Sequence, residues 1–193
     1  EKHGFRSIFF DDDTFNLGTK RISKLCEYLK EINLPWTMMG RLDISPNWLY
    51  DKMVDSGCVG MRFGVETFNI DVLKNIEKGI ERRDFRQTLE HICLKYPEVM
   101  IHITMMSDMP GQTAEDTEID MKIIKEMGFS NDNILRTYQL SKCVPFPGTK
   151  LYEQVKNRVD EATLKTYTAY DGGQDTIMKA SKKKFSTHVE TWS

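Results

Sequence analysis

Residues 99–140 read VMIHITMMSDMPGQTAEDTEIDMKIIKEMGFSNDNILRTYQL. The apolar run over 99–106 predicts a buried strand, and the turn SDMPGQT after it ends on a threonine suited to capping a helix. AEDTEIDMKIIKEM predicts that helix, closed by Gly128, and ILRTYQL predicts the next strand. Strand, helix and strand in this order make a βαβ unit with parallel strands.

The same alternation runs through the rest of the chain. RSIFF (6–10) predicts a strand. Thr19 is placed to cap a helix through about Ile32, with Ile22, Leu25, Cys26, Leu29 and Ile32 at helical spacing. WTMMGR (36–41) predicts the second strand, after a Leu-Pro break. Ser45-Pro46 marks a helix entry, with the serine as N-cap, and Gly57 its end. VGMRFGV (59–65) predicts a third strand, followed by a short helix stopping at Gly79 and a longer one before Pro97. CVPFPGT (143–149) leads into a last helix near KLYEQV (150–155). We read 1–158 as one α/β domain and 159–193, where strand signals stop, as a helical and partly mobile extension. The strands look like continuous apolar runs, which predicts burial on both faces of a parallel sheet.

Composition narrows the function classes. The 193 residues are 39% hydrophobic and 29% charged, which fits a single soluble domain. The net charge of −2 offers no field to gather nucleic acid or an anionic membrane. No apolar run approaches the roughly 20 residues of a bilayer span, and no signal peptide is visible, so a cytoplasmic location is expected. The four cysteines are scattered, with no CxxC or CxxxCxxC spacing, and read as reduced, mostly buried thiols. The chain opens on Glu1 and enters a strand at once, which suggests a fragment of a longer polypeptide.

In parallel α/β folds, ligands sit at the carboxyl ends of the strands. The suggestive residues fall there repeatedly: Asp11, Asp12 and Asp13 in IFFDDDTFN (8–16), then Arg41, Glu66, SDMPGQT and CVPFPGT. Three adjacent acids either cap the next helix or neutralise a cation. IFFDDDTFN also fits hhhDxDxT, the pattern of Mg²⁺-dependent haloacid-dehalogenase-type phosphatases. On that reading Asp11 is the nucleophile and Asp13 the acid/base, with Asp108 as the obvious later acid. Glu66, beside Gly64, could accept from ribose hydroxyls or pair with Arg41 or Arg62. Pro145 and Phe146 are expected as exposed apolar groups at the rim, and His91 and His102 as packing residues. A non-catalytic module, with the rim residues as caps and salt bridges, is the third alternative.

In order, FFDDDTFN, LPWTMMGRLD, DSGCVGMRFGVETFNIDVLKNIEKGI, MPGQTAEDT and PFPGTKLYE resemble the radical S-adenosylmethionine (SAM) enzymes. The likeness is to the cobalamin-associated branch that includes the anaerobic magnesium-protoporphyrin ester cyclases, and covers residues 5 to about 155. It implies a partial (β/α)6 TIM-like barrel lacking its first strand. It also implies a [4Fe-4S] cluster that cleaves SAM to a 5′-deoxyadenosyl radical, which abstracts hydrogen from a small-molecule substrate. By resemblance, Asp12 and Asp13 face the methionine ammonium, Glu66 lies near the ribose, and Arg41 pairs with the methionine carboxylate. Ile103, Thr104 and Met105, with Val144, Pro145 and Phe146, match positions that pack on adenine. The cluster-binding CxxxCxxC loop is expected before residue 1, as is a domain carrying cobalamin. This chain alone should therefore not cleave SAM, and its uncovered RSIFF edge is expected to self-associate.

Overall fold

A computed structural model describes residues 4–75 and 85–156. The extension read at 159–193 and the helix end at Gly79 lie outside them. The strands are β1 (Ile8–Phe10), β2 (Trp36–Gly40), β3 (Cys58–Glu66), β4 (Met100–Ser107) and β5 (Arg136–Lys142). The helices are α1 (Thr19–Ile32), α2 (Asn47–Asp55), α3 (Ile70–Asn75), α4 (Phe85–Lys95), α5 (Ala114–Glu126) and α6 (Lys150–Val155).

All five strands join one parallel sheet in the order β1-β2-β3-β4-β5. A doubly wound sheet reverses its strand order at a switch point. This one never does. Right-handed crossovers between successive neighbours keep returning helices to the same side, so the sheet forms an arc of a TIM-like barrel.

Burial follows that geometry and corrects the expectation of strands covered on both faces. It alternates along β2 and β4, and the same period runs through β3. Trp36, Met38, Met61, Phe63, Ile101, Ile103 and Met105 are buried on the helix side. They pack with Ile22, Cys26 and Leu29 of α1, Leu49, Tyr50 and Met53 of α2, and Leu89 and Ile92 of α4. Burying each such Leu, Ile, Met or Phe side chain contributes about 1.5–3 kcal/mol. Phe10, Phe15 and Trp36 cluster beneath α1, with ring centroids 4.5–5.6 Å apart. The intervening strand residues face the concave side, which no helix among the described residues covers.

Two helix entries differ from expectation. Gly18, at φ 84°, is the N-cap of α1, and Thr19 is its first helical residue. Pro46 is the N-cap of α2. Ser45 is claimed elsewhere: its hydroxyl donates to the Asn16 carbonyl at 3.2 Å and accepts from Asn16 Nδ2 at 3.0 Å. Thr113 and Thr149 do cap α5 and α6, the former in a reciprocal box with Asp116.

Arg136, at the start of β5, is buried, and its guanidinium is held by main-chain carbonyls. It donates to Val99, Leu135 (2.8 Å), Cys93 (3.2 Å) and Tyr96 (3.1 Å). A fixed cation at the carboxyl end of α4 satisfies its last carbonyls and complements the helix dipole.

Candidate functional site

Because the strands are parallel, the loops after β1 to β5 all emerge at one end of the sheet. The first of them is held by Asn16. Its side chain pairs with the Arg41 main chain in both directions, Nδ2 donating to the carbonyl at 2.6 Å and Oδ1 accepting from the amide at 3.0 Å. The Tyr50 hydroxyl, 3.0 Å from Asn16 Nδ2, also donates to the Arg41 carbonyl at 2.7 Å. Gly40 makes room for this arrangement, since a Cβ there would lie 2.5 Å from Asn16 Oδ1. The acidic loop after β1 is thus tied to the end of β2.

Asp11, Asp12 and Asp13 themselves are exposed. No acid lies in the first turn of α1, so they do not cap it. Among the described residues, no group of three or more acidic, cysteine or histidine side chains is arranged to hold a metal ion.

The loops after β3, β4 and β5 converge. Glu66 ends β3 at φ 65°, just past a register shift against β4, and Asp108 follows β4 at φ 61°. Cys143 follows β5, its amide donating to the Ser107 carbonyl at 2.8 Å. Burial, with the carboxylates of Asp108 and Glu66 nearby, pushes its thiol up to about 11. Cys143 is therefore a neutral thiol bracketed by two acids.

Helix α5 fixes the loop after Glu66. Asp120 Oδ1 accepts from the Phe68 amide at 2.8 Å, and Asp116 Oδ1 accepts from Asn69 Nδ2 at 2.8 Å. Asn69 Oδ1 in turn accepts the Asp71 and Val72 amides at the start of α3. Asp120 is buried with its Oδ2 unpartnered among the described residues. Burial pushes its carboxyl up, against lowering contacts from Thr67 and Phe68. After β4, Gln112 accepts the Met109 amide and donates to the Met106 carbonyl, each at 3.1 Å, closing the SDMPGQT turn.

The concave face continues from this rim into the arc. One row of aligned residues crosses four strands: Met39, Arg62, His102 and Thr137. The row nearer the rim is Gly64, Thr104 and Gln139. His102, expected as a packing residue, faces this surface, its Nδ1 lying 2.9 Å from Thr137 Oγ1. Burial and the Arg62 charge hold His102 below the usual imidazole range.

The sequence-derived residues are therefore distributed unevenly. Asp12, Asp13, Arg41, Glu66 and Val144–Phe146 all lie at the rim end, and Thr104 lies on the concave face. Ile103 and Met105 are buried in the helix-facing core, so a side-chain contact from that stretch to a ligand in the arc falls to Thr104. Pro145 is buried, a correction to its expected exposure, while Phe146 is 42% exposed. The Arg41 fork is engaged by Asp43, through Nε at 3.0 Å and Nη2 at 2.7 Å. Sequence reasoning passed over Asn16, Gln112, Asp116 and Asp120, all of which shape the rim.

No protein-family model matches the chain. It is 25% identical over 176 residues to an uncharacterized methyltransferase of Pyrococcus horikoshii, covering 88% of this chain and 36% of that protein. It is 25% identical over 178 residues to the bacteriochlorophyllide d C-12(1)-methyltransferase of Chlorobaculum tepidum, again covering 88% of this chain and 36% of the relative. The chain thus spans about a third of the length of these curated relatives. Its fold matches the radical SAM methyltransferase TsrM of Kitasatospora setae, solved with cobalamin and a [4Fe-4S] cluster bound. The TM-score is 0.65 at 15% identity, covering 82% of this chain and 30% of that one. The fold is that of the radical SAM enzymes, and the resemblance extends to a cobalamin-binding member.

Proposed function

We propose that these residues form part of the catalytic barrel of a radical SAM enzyme, with SAM bound at the rim and a small-molecule substrate on the concave face. The observation that carries this reading is the meeting of Glu66, Asp108 and Cys143 at the ends of three adjacent parallel strands, above a polar surface that no described helix covers. Glu66 would accept from the ribose hydroxyls. Asp12 and Asp13 would face the methionine ammonium, where exposed carboxylates attract a cation. Thr104 would contact the adenosine from the wall, with Val144 to Phe146 beside it. Neighbouring strands lie about 4.8 Å apart, so β1 and β3, which lead into Asp13 and Glu66, are separated laterally by about 10 Å.

The described cysteines do not fit a [4Fe-4S] cluster. Cys26 is on α1, Cys58 opens β3, Cys93 is on α4 and Cys143 follows β5. Burial pushes Cys58 up to about 12, the opposite of the thiolate a cluster requires. Cluster ligands would come from another segment of the polypeptide, as would a cobalamin-binding domain. With those parts in place, SAM supplies a 5′-deoxyadenosyl radical or a methyl group. The residues described here bind, orient and exclude water.

Isothermal calorimetry of the chain with S-adenosylhomocysteine tests the rim directly. Saturable one-to-one binding, weakened at least tenfold by Glu66→Gln, is the expected result. No binding to the chain, or equal binding by the variant, overturns the assignment of Glu66. In a longer polypeptide carrying cluster cysteines, reductive formation of 5′-deoxyadenosine is expected and should fall with the same substitution.

A further inference from the structure

We propose that Arg62 and His102, neighbours in the middle of the concave face, bind a carboxylate of the enzyme's small-molecule substrate. This deepens the reading above and rests on it for the claim that the concave face holds substrate.

The two residues are register partners on β3 and β4, in strands about 4.8 Å apart. Arg62 is exposed and makes no ion pair with any described residue. A guanidinium presents two parallel N–H groups in the geometry a carboxylate accepts. His102 is oriented by Thr137 through Nδ1. When the Thr137 hydroxyl donates to Nδ1, the remaining Nε2–H is the donor His102 has left for a ligand on the concave face. His102 sits below its ordinary value of 6.5, so at neutral pH it donates as an uncharged imidazole.

Among the described residues of this row, the charge is then the single positive charge of Arg62. That matches one carboxylate and leaves a phosphate dianion undercompensated. The nearest strand-end acids, Glu66 and Asp108, lie toward the rim. Glu66 lies four residue steps along the strand from Arg62, a rise of roughly 13 Å. Between them stands Gly64, which contributes no side chain, and Thr104 and Gln139 beside it are polar. The result is a gap whose inner end is cationic and whose outer end is acidic. A small acid held by its carboxylate at the inner end would turn its opposite end toward the rim, where adenosine would lie.

Histidine ring NMR on the 193-residue chain tests this without turnover. The His102 signal is assigned with His102→Gln, and benzoate, methyl benzoate and inorganic phosphate are titrated at constant ionic strength. Benzoate is expected to shift the His102 ring saturably, methyl benzoate not at all, and phosphate with at least tenfold lower affinity. Arg62→Gln should weaken the benzoate response at least tenfold. Arg62→Lys, which keeps the charge but loses the fork, should fall between it and the parent. Arg62 is exposed, so neither variant threatens folding. No shift with benzoate, an equal response to the ester, phosphate binding as tightly, or an unchanged Arg62→Gln each overturns the proposal. Homocysteine-nucleoside calorimetry reads the rim separately, so the two assignments fail independently.

Discussion

Glu66 and Asp108 end neighbouring parallel strands in the same left-handed backbone conformation, at φ 65° and 61°, and both carboxylates bear on the Cys143 thiol. For a non-glycine residue that conformation costs about 1–2 kcal/mol. Asp tolerates it better than Glu. Strain of this kind persists where the surrounding structure imposes it and concentrates at functional positions. Glu66→Gly relieves the strain and should leave the fold at least as stable as the parent, with a gain of up to about 1 kcal/mol after the entropy of glycine is counted. The same variant should lose binding of S-adenosylhomocysteine. Denaturant melts beside calorimetry read both effects; a variant destabilised by more than about 1 kcal/mol would mean that Glu66 holds the rim together.

Asn16 and Gly40 should be energetically coupled. Asn16→Ala leaves the Arg41 amide without its partner, while the carbonyl keeps the Tyr50 hydroxyl, and should cost roughly 1–3 kcal/mol. Gly40→Ala drives a methyl to 2.5 Å from Asn16 Oδ1 and should cost about 1–3 kcal/mol. In the double variant the obstructing atom is gone, so the combined loss should fall short of the sum by about 1 kcal/mol. Strict additivity in a double-mutant cycle would show that the two positions do not share this contact.

Asp120 should make stability decline as pH rises. Its folded carboxyl is raised above the ordinary 3.8, chiefly by burial, so the folded state holds the proton more tightly than the unfolded state. That contribution is fully present below 3.8 and is lost as pH climbs from there to the raised folded value. Asp51 and Asp116 act in the opposite sense. Burial pushes each up, but hydrogen bonds outweigh it: from Lys95, His91 and Tyr96 for Asp51, and from Thr113 and Asn69 for Asp116. Their contribution is present above 3.8 and is lost as pH falls through their lowered values. Asp120→Asn should therefore gain on the parent as pH rises above 3.8, measured by urea midpoints from pH 3 to 8. Parallel curves would rule out Asp120 as the titrating group.

The β1 edge should mediate self-association. On its outer side β1 pairs with no described strand, and Phe9 on it is 59% exposed. Unpaired parallel edges with apolar side chains attract further strands. Phe9→Lys should lower the weight-average mass in sedimentation equilibrium at high protein concentration. A parent that is already monomeric there would dispose of the idea.

The order of elements was legible because its punctuation is local. Gly57 closes the turn after α2 with φ 97°, a conformation a side chain would oppose, and Thr113 and Thr149 cap the next turns by themselves. What depended on distant partners was not legible. Ser45 has the spacing of an N-cap, yet it bonds to Asn16, 29 residues earlier. Asn16 reads as one more polar residue in an acidic loop until the fold brings Arg41 and Tyr50 to it. Asp120 sits in a helix rich in acids, and nothing in its neighbours marks it as the buried one. The strands misled for a different reason. Met39, Thr104 and Met106 are apolar or β-branched enough to pass as core, so the one-sided burial of β2 and β4 was hidden. Along β3, Arg62 was visible as the exception.

That one-sided burial interleaves two kinds of position along the same strands. Side chains at 61, 63, 101 and 103 hold the helices, while positions 62, 64, 102 and 104 belong to the open wall. A saturation library over β3 and β4 should therefore show tolerance with a period of two. Variants at one parity would trade stability, and those at the other would retune which molecules the wall accepts. Such a sheet lets selection reshape specificity without renegotiating the scaffold.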